Sequence, residues 1–259
     1  MASMFYIKKI SLGLLLFIMV PALSWAQFKS NINDTTVNAK LLSFSYAFQV
    51  PAADMADRFG PNNNLGASFY FKLSHNYLLG VEANYIFGGS IREDTLLNYL
   101  YTQSGALIGT DGFYETVFLF ERGTTFFGKF GKIIPVINSN PNSGLTLMAG
   151  AGFMQHRIKL SSPNETLPYV LDEYAKGYDR LTNGFALSQY VGFTHLDKRK
   201  LVNFTIGLEA IEGFTKSRRD WNFDQMKKDD TSRLDILVGI KIGWILPFYG
   251  SGEERVYTF

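Results

Sequence analysis

The chain has 259 residues, a formal net charge of +2 and no cysteine. A near-neutral balance gives no electrostatic footprint for nucleic acid, and the missing cysteines exclude a disulfide framework, a lipoprotein attachment site and thiolate metal centres. Its 23 Phe and 14 Tyr suit the interfacial girdles of a membrane barrel, although a large soluble β-domain also reaches such a content.

At the N-terminus, Lys8 and Lys9 precede an apolar run over 10–20, Pro21 breaks it, and Ser24-Trp25-Ala26 offers small residues for cleavage. The pattern predicts a signal peptide over 1–26 and a mature start at Gln27; the run is short for an anchor helix. No later stretch is long and apolar enough for a helical span. A membrane protein without one must satisfy its backbone in a closed barrel.

Residues 27–39 are polar and read as a periplasmic lead-in. Leu42, Phe44, Tyr46, Phe48 and Val50 then alternate with Ser43, Ser45, Ala47 and Gln49, which is a strand with one apolar face. Residues 51–64 read as a loop rich in Pro, Asp and Asn. Leu65 to Leu73 alternates again, His75-Asn76 is a short turn, and Leu79 to Phe87 returns, completing a hairpin. Residues 88–112 are a long insertion with weak helical character over 95–101. The stretch 113–136 is one very long strand or a hairpin turning at Glu121-Arg122-Gly123.

A turn follows at 138–144, then a strand over 145–160 in which Gly150 and Gly152 are small residues of unassigned face. A second long loop covers 161–183, with a short helix near 167–174. Strands at 185–195 and 202–210 flank the charged turn Asp197-Lys198-Arg199-Lys200. A loop over 213–231 precedes the strand 233–248. In that strand Leu234, Ile236, Val238, Ile240, Ile242, Trp244, Leu246 and Phe248 form one wholly apolar face, and Lys241 sits mid-strand on the other. Its length matches what a tilted strand needs to cross a bilayer.

The connections alternate between long and short, as in outer-membrane barrels. The expected fold is therefore all-β: a single antiparallel transmembrane barrel over 40–249 with long extracellular loops and a periplasmic tail at 250–259. It has eight strands, or ten if 113–136 is a hairpin and the insertion adds a strand.

With its leader, alternating strands, loop asymmetry and terminal Phe259, the chain resembles the small outer-membrane barrels of Gram-negative bacteria, the group that includes OmpA-, OmpX- and OmpW-like proteins. Asn-Pro-Asn-Ser-Gly at a turn and Gly-Trp-Ile-Leu-Pro-Phe-Tyr in the last strand are similar in style to barrels of Bacteroidetes. The resemblance implies a bacterial outer-membrane location, insertion by the barrel-assembly machinery, and contact with outer-membrane lipid and lipopolysaccharide. It also implies a non-enzymatic structural, adaptor or accessory role in an envelope complex, as barrel accessories have in type IX secretion. A narrow channel for a small or hydrophobic solute, with a lateral opening near Pro135 or Pro247, and a lipid-modifying rim enzyme are the other readings.

The residues allow chemistry to be sought in three places. Lys72, Glu82, Lys129, Glu209, Asp235 and Lys241 fall on non-lipid faces, where they line a solute path or pair into a plug; similar numbers of both signs favour the plug. Lys176, Arg180, Lys216, Arg218, Arg219 and Trp221 form a basic, aromatic outer rim. That rim either holds phosphate, glycan or protein, or is a solvated face whose arginines pin loops to neighbouring aspartates. His156 lies on a strand heading outward, where Asp179 or a loop serine is a conceivable partner, but no nucleophile, base and orienting trio is visible. No metal-ligand spacing and no cofactor motif occur, and Asn164-Glu165-Thr166 matches a glycosylation acceptor of little weight here.

Overall fold

The computed structural model describes residues 36, 38–93, 95–136, 140–197 and 202–249. The expected signal peptide, nearly all of the lead-in, the tail at 250–259, and the turn residues Asn138-Ser139 and Lys198-Arg199-Lys200 lie outside them.

Eight long strands close a barrel: β1 (Ala39–Ala53), β2 (Asn62–Lys72), β3 (Tyr77–Gly88), β6 (Phe118–Pro135), β7 (Gly144–Ser161), β8 (Thr182–Leu196), β9 (Asn203–Ser217) and β10 (Ser232–Tyr249). Each pairs antiparallel with its neighbours, and β1 closes the ring on β10. Two short strands, β4 (Leu107–Ile108) and β5 (Tyr114–Glu115), form a separate ribbon in the β3–β6 connection. The ten-strand alternative is thereby excluded. β6 runs unbroken for 18 residues because Glu121-Arg122-Gly123 keeps the period of two: Glu121 and Gly123 point inward and Arg122 outward.

The alternation sets the inside and the outside. On β10, Val238, Ile240, Ile242, Trp244 and Phe248 are exposed, whereas Asp235, Leu237, Lys241 and Ile245 are buried. The same split runs round the ring, with Phe44, Phe48, Leu65, Val81, Phe126, Phe153, Phe185 and Phe214 on the outer surface. An exposed apolar belt of this extent is stable only against lipid.

The two ends of the barrel differ. At the inner end the β2–β3 connection is tight. His75 (φ 60) and Asn76 (φ 64) take left-handed conformations in the β2–β3 turn, which asparagine tolerates and histidine adopts less readily. At the outer end lie the connections 89–117, 162–181 and 218–231. Two loop expectations are corrected. The 51–64 segment is strand at both ends, 51–53 and 62–64; only 54–61 connects β1 to β2, with a 3-10 turn over Asp54–Asp57 and with Met55, Arg58 and Phe59 buried. Likewise β9 continues to Ser217, beyond the expected stop at 210. The connection after β7 holds a 3-10 turn at Pro168–Val170 and a four-residue helix, α1 (Asp172–Ala175), near the expected helical stretch.

The lumen is layered. An inner apolar group comprises Leu41, Tyr70, Leu78, Ile133, Leu196 and Ile245. An outer one combines lumen residues such as Ile86, Phe127, Met154, Ile211 and Leu237 with loop residues such as Leu97, Leu107, Leu167 and Val170. Along β10 the inward series Asp235, Leu237, Gly239, Lys241, Gly243, Ile245 steps through these layers in order.

Candidate functional site: the lumen plug and the outer cap

Four of the six lumen charges meet. Lys129 Nζ donates to Glu82 Oε1 at 2.9 Å and to Glu209 Oε1 at 2.7 Å. Lys241 Nζ donates to the same two oxygens at 2.6 and 3.0 Å. Glu82 and Lys129 stand on adjacent strands of one wall, Glu209 and Lys241 on adjacent strands of the other, so the tetrad bridges the lumen. No side chain in it is more than 7% exposed. Buried charges are tolerated only when paired and hydrogen-bonded, and this set balances two of each sign. Tyr70 Oη donates to Glu82 Oε2 at 2.9 Å, Asn84 Nδ2 to Glu82 Oε1 at 3.0 Å, and Ser188 Oγ to Glu209 Oε1 at 3.4 Å.

Gly150 makes room for the tetrad. A Cβ there would sit 2.7 Å from Lys129 Cγ, so the glycine faces inward and leaves space for the lysine stem. Inward of the tetrad is a cavity of about 50 Å³ lined by Ser45, Ser68, Tyr190 and Thr194 among others. That is room for a water or two, far from a solute path.

The other two lumen residues stand apart from the tetrad. Lys72 lies at the inner end, where its Nζ donates to Asn142 Oδ1 at 2.7 Å. Asp235 belongs to a second polar cluster nearer the outer end. Arg58 Nη2 lies 3.0 Å from its Oδ1, His156 Nε2 2.8 Å from its Oδ2, and Thr215 Oγ1 donates to Oδ2 at 2.5 Å. Arg58 also donates to Thr182 Oγ1 at 3.2 Å, and the Phe59 ring meets His156 edge-on at 5.4 Å. The 54–61 turn thus lowers an arginine and an aromatic ring into the barrel mouth. Below it, Asn62 Nδ2 reaches both oxygens of the buried Glu121 at 3.1 Å.

Sequence reasoning missed Arg58, Phe59, Asn62 and Glu121. The first three fell in a presumed loop and the fourth in a stretch left open between one long strand and a hairpin turn. His156 is a buried structural residue whose partner is Asp235, neither Asp179 nor a loop serine; Asp179 binds Arg219 through Nε at 2.7 Å and through Nη2. Among the described residues no break in strand pairing marks a lateral opening at the prolines: Pro247 stays in register with Leu41 and Pro135 with Gly144.

Above the plug the loops form an ordered cap. Arg180 Nη2 reaches Asp224 Oδ2 at 2.5 Å and Glu93 Oε2 at 3.4 Å, tying three connections together. Arg218 Nε donates to Asn183 Oδ1 at 2.5 Å, and Lys176 pairs with Glu173 at 2.5 Å on the surface. Of the expected rim residues, Arg180 and Arg219 are thus turned to loop pinning. Lys176, Lys216 and Trp221 remain at the surface, Trp221 being 48% exposed. The Arg219 guanidinium is held above its ordinary pKa by the hydrogen bond to Asp179. Tyr178, packed edge-on against Phe223, is raised by burial and by Asp224.

Glu115 of the β4–β5 ribbon accepts hydrogen bonds from Asn164 (2.8 Å), Ser162 (3.1 Å) and Thr166 (3.1 Å), which hold its carboxyl below the usual range. A depressed folded-state pKa contributes stability that is full above the unfolded pKa and is lost as pH falls through the folded one. Hydrogen exchange of 107–117 should therefore show protection at neutral pH that fades as pH drops below about 4. Glu115→Gln should show no such titration. Protection in the wild type that persists to strong acid would mean that this carboxylate does not tie the loops.

No family model and no curated protein matches the chain. Among solved structures, it is similar to Ail, the attachment invasion locus protein of Yersinia pestis, at 9% identity and a TM-score of 0.40, over 81% of this chain and 99% of that one. It is similar to Neisserial surface protein A at 11% identity and a TM-score of 0.39, over 81% and 97%. Similarity to the outer membrane protein OprG from Pseudomonas aeruginosa is 12% with a TM-score of 0.38, over 85% and 100%. Likeness at such identity concerns the fold alone. Its own closure, lipid belt and unequal ends make this chain a small eight-stranded β-barrel of the bacterial outer-membrane type.

Proposed function

We propose that the protein is a non-enzymatic, non-conducting barrel of the outer membrane, acting as a structural or accessory subunit of an envelope complex and displaying its pinned loops as a fixed outer face. The observation that carries this reading is the double closure of the lumen. The Glu82–Lys129–Glu209–Lys241 tetrad bridges its middle and the Arg58–Asp235–His156 cluster fills its mouth. A channel needs a continuous wet path, and an eight-strand lumen filled by paired side chains has no room for one. Hydrolytic chemistry needs a nucleophile, a base and access. His156 is wholly buried, and the hydroxyls beside it, Thr215 and Thr182, are committed to Asp235 and to the Arg180 carbonyl. On the outer wall, Arg122, Arg157 and Lys159 lie above the aromatic row of β6 and β7, at the level suited to the anionic headgroups of lipopolysaccharide.

Two measurements test this. In planar bilayers the refolded protein should give no stable conductance steps; reproducible steps would support the channel reading instead. A mild-detergent pull-down of the tagged protein from native outer membranes should bring stoichiometric companions. Recovery as an isolated monomer would remove the accessory role.

A further inference from the structure

The lipid belt carries two polar side chains where lipid would disfavour them. Between the row Phe153, Phe185 and Phe214 and the inner-end pair His195 and Phe204, the outward residues of β7, β8 and β9 are apolar except for Gln189 and Glu212. Their outward direction follows from alternation with the buried Ser188 and Ile211. Gln189 is in register with Ala210, so Glu212, two residues on, is its diagonal neighbour on the same face. Across the strands Glu212 faces Leu187 on one side and Ile236 on the other. Among the described residues neither polar side chain has a hydrogen-bond partner. By contrast Asn63, outward on β2, accepts from Tyr46 Oη at 2.5 Å.

An ionisable side chain on a lipid face is costly and in membrane proteins marks a contact or a path. The surface around this one is also lowered. Ala149 and Ala151 on β7 and Ala210 on β9 flank the two polar groups; the β2–β6 wall also has small outward residues, Ala67, Ala83 and Gly128, but no carboxylate among them. Small residues let another backbone approach closely within a membrane.

Resting on the accessory reading above, we propose that the β7–β9 wall is an in-membrane docking face. It takes a membrane-spanning element of a different envelope protein, one that presents a cationic or hydrogen-bond-donating side chain to Glu212 and Gln189. The unpaired carboxylate sets the chemistry of the partner: a donor is required, and lipid tails have none. A second copy of this chain is a poor occupant. A two-fold axis along the membrane normal keeps each residue at its own depth, so it would bring to Glu212 another Glu212, its apolar neighbours or the neutral amide of Gln189, and no cation.

The test is site-directed photo-crosslinking in native outer membranes, with the photoreactive residue at Ala210 and, on the opposite wall, at Val81. A discrete protein adduct is expected from position 210 and none from 81. Glu212→Leu should cut the adduct by roughly tenfold, and Glu212→Gln, which keeps a hydrogen-bonding end, by less. All variants should keep heat-modifiable migration, which reports a folded barrel. Equal adducts from both walls, an adduct of this chain with itself, or an adduct indifferent to Glu212→Leu would overturn the proposal. Companions that still co-purify with Glu212→Leu would leave the accessory role intact and remove this face. An absence of any companion in the wild-type pull-down would remove both.

Discussion

Glu209→Leu should destabilise the barrel by about 3–5 kcal/mol, because it strands two buried ammonium groups on a single remaining carboxylate. Lys129 and Lys241 each contact Oε1 of Glu209 and of Glu82, and the four side chains are almost wholly shielded. Removing one carboxylate leaves a net positive charge in a lumen whose neighbours are Tyr70, Asn84 and Ser188. The expected observation is a lower urea midpoint for unfolding in detergent or bilayer, with an unchanged slope. The pair replacement Glu209→Leu with Lys129→Met should cost much less than the single change, since the remaining Glu82–Lys241 pair stays balanced. The double-mutant cycle isolates that coupling. If the single and double variants unfold alike, the tetrad is not a closed electrostatic unit, and the plug loses its physical basis.

Ile240→Arg tests the outside of the same wall. Ile240 is 58% exposed, stands between Val238 and Ile242 on β10, and is in register with Phe48 and Leu208, all of which face out. A cation there must sit in hydrocarbon near the midplane, at a cost of about 2–4 kcal/mol. The expected readout is reduced folded yield in the outer membrane and a lower unfolding midpoint in bilayers, with little change in detergent micelles, where water reaches the belt. A full-size effect in detergent would mean that Ile240 packs against protein. From the alternation of faces alone, the neighbouring change Lys241→Met is expected to disturb only the interior pairing. In the structure it deprives Glu82 and Glu209 of a shared donor, so its cost belongs with that of Glu209→Leu. Ranking Ile240→Arg against Lys241→Met therefore does not report the register; their different dependence on lipid does.

The barrel itself was legible because a strand with lipid on one face must alternate with a period of two. A one-residue slip would put every apolar side chain inside. That constraint named the lumen charges and the lipid-facing residues of β1, β2, β3 and β10 from the chain alone. It also applied to Glu121-Arg122-Gly123, where the triplet's turn-like composition masked an alternation that β6 keeps. Periodicity does not reach a connection, so nothing in 54–61 announced that Arg58 and Phe59 would fold into the mouth. Asn62 looked like loop although it opens β2, because Asn62-Asn63-Asn64 is polar on both faces and shows no alternation.

Which charges meet was decided only by closure. Glu82 and Glu209 are far apart in sequence and on opposite walls, and they become partners of the same two lysines because the ring brings β3 and β6 across from β9 and β10. The same closure separated Asp235 and Lys72 from that group, since each points inward at a different depth. Glu212 differs from Glu209 by three positions on one strand, and the pleat turns one into the plug and the other toward the membrane. The sequence by itself determined a membrane barrel with a charged, neutralised interior, through the period of its apolar residues. Strand number, pairing across the lumen and the folding-in of the outer loops were left to the tertiary structure, because they depend on registers and distances that no local pattern encodes.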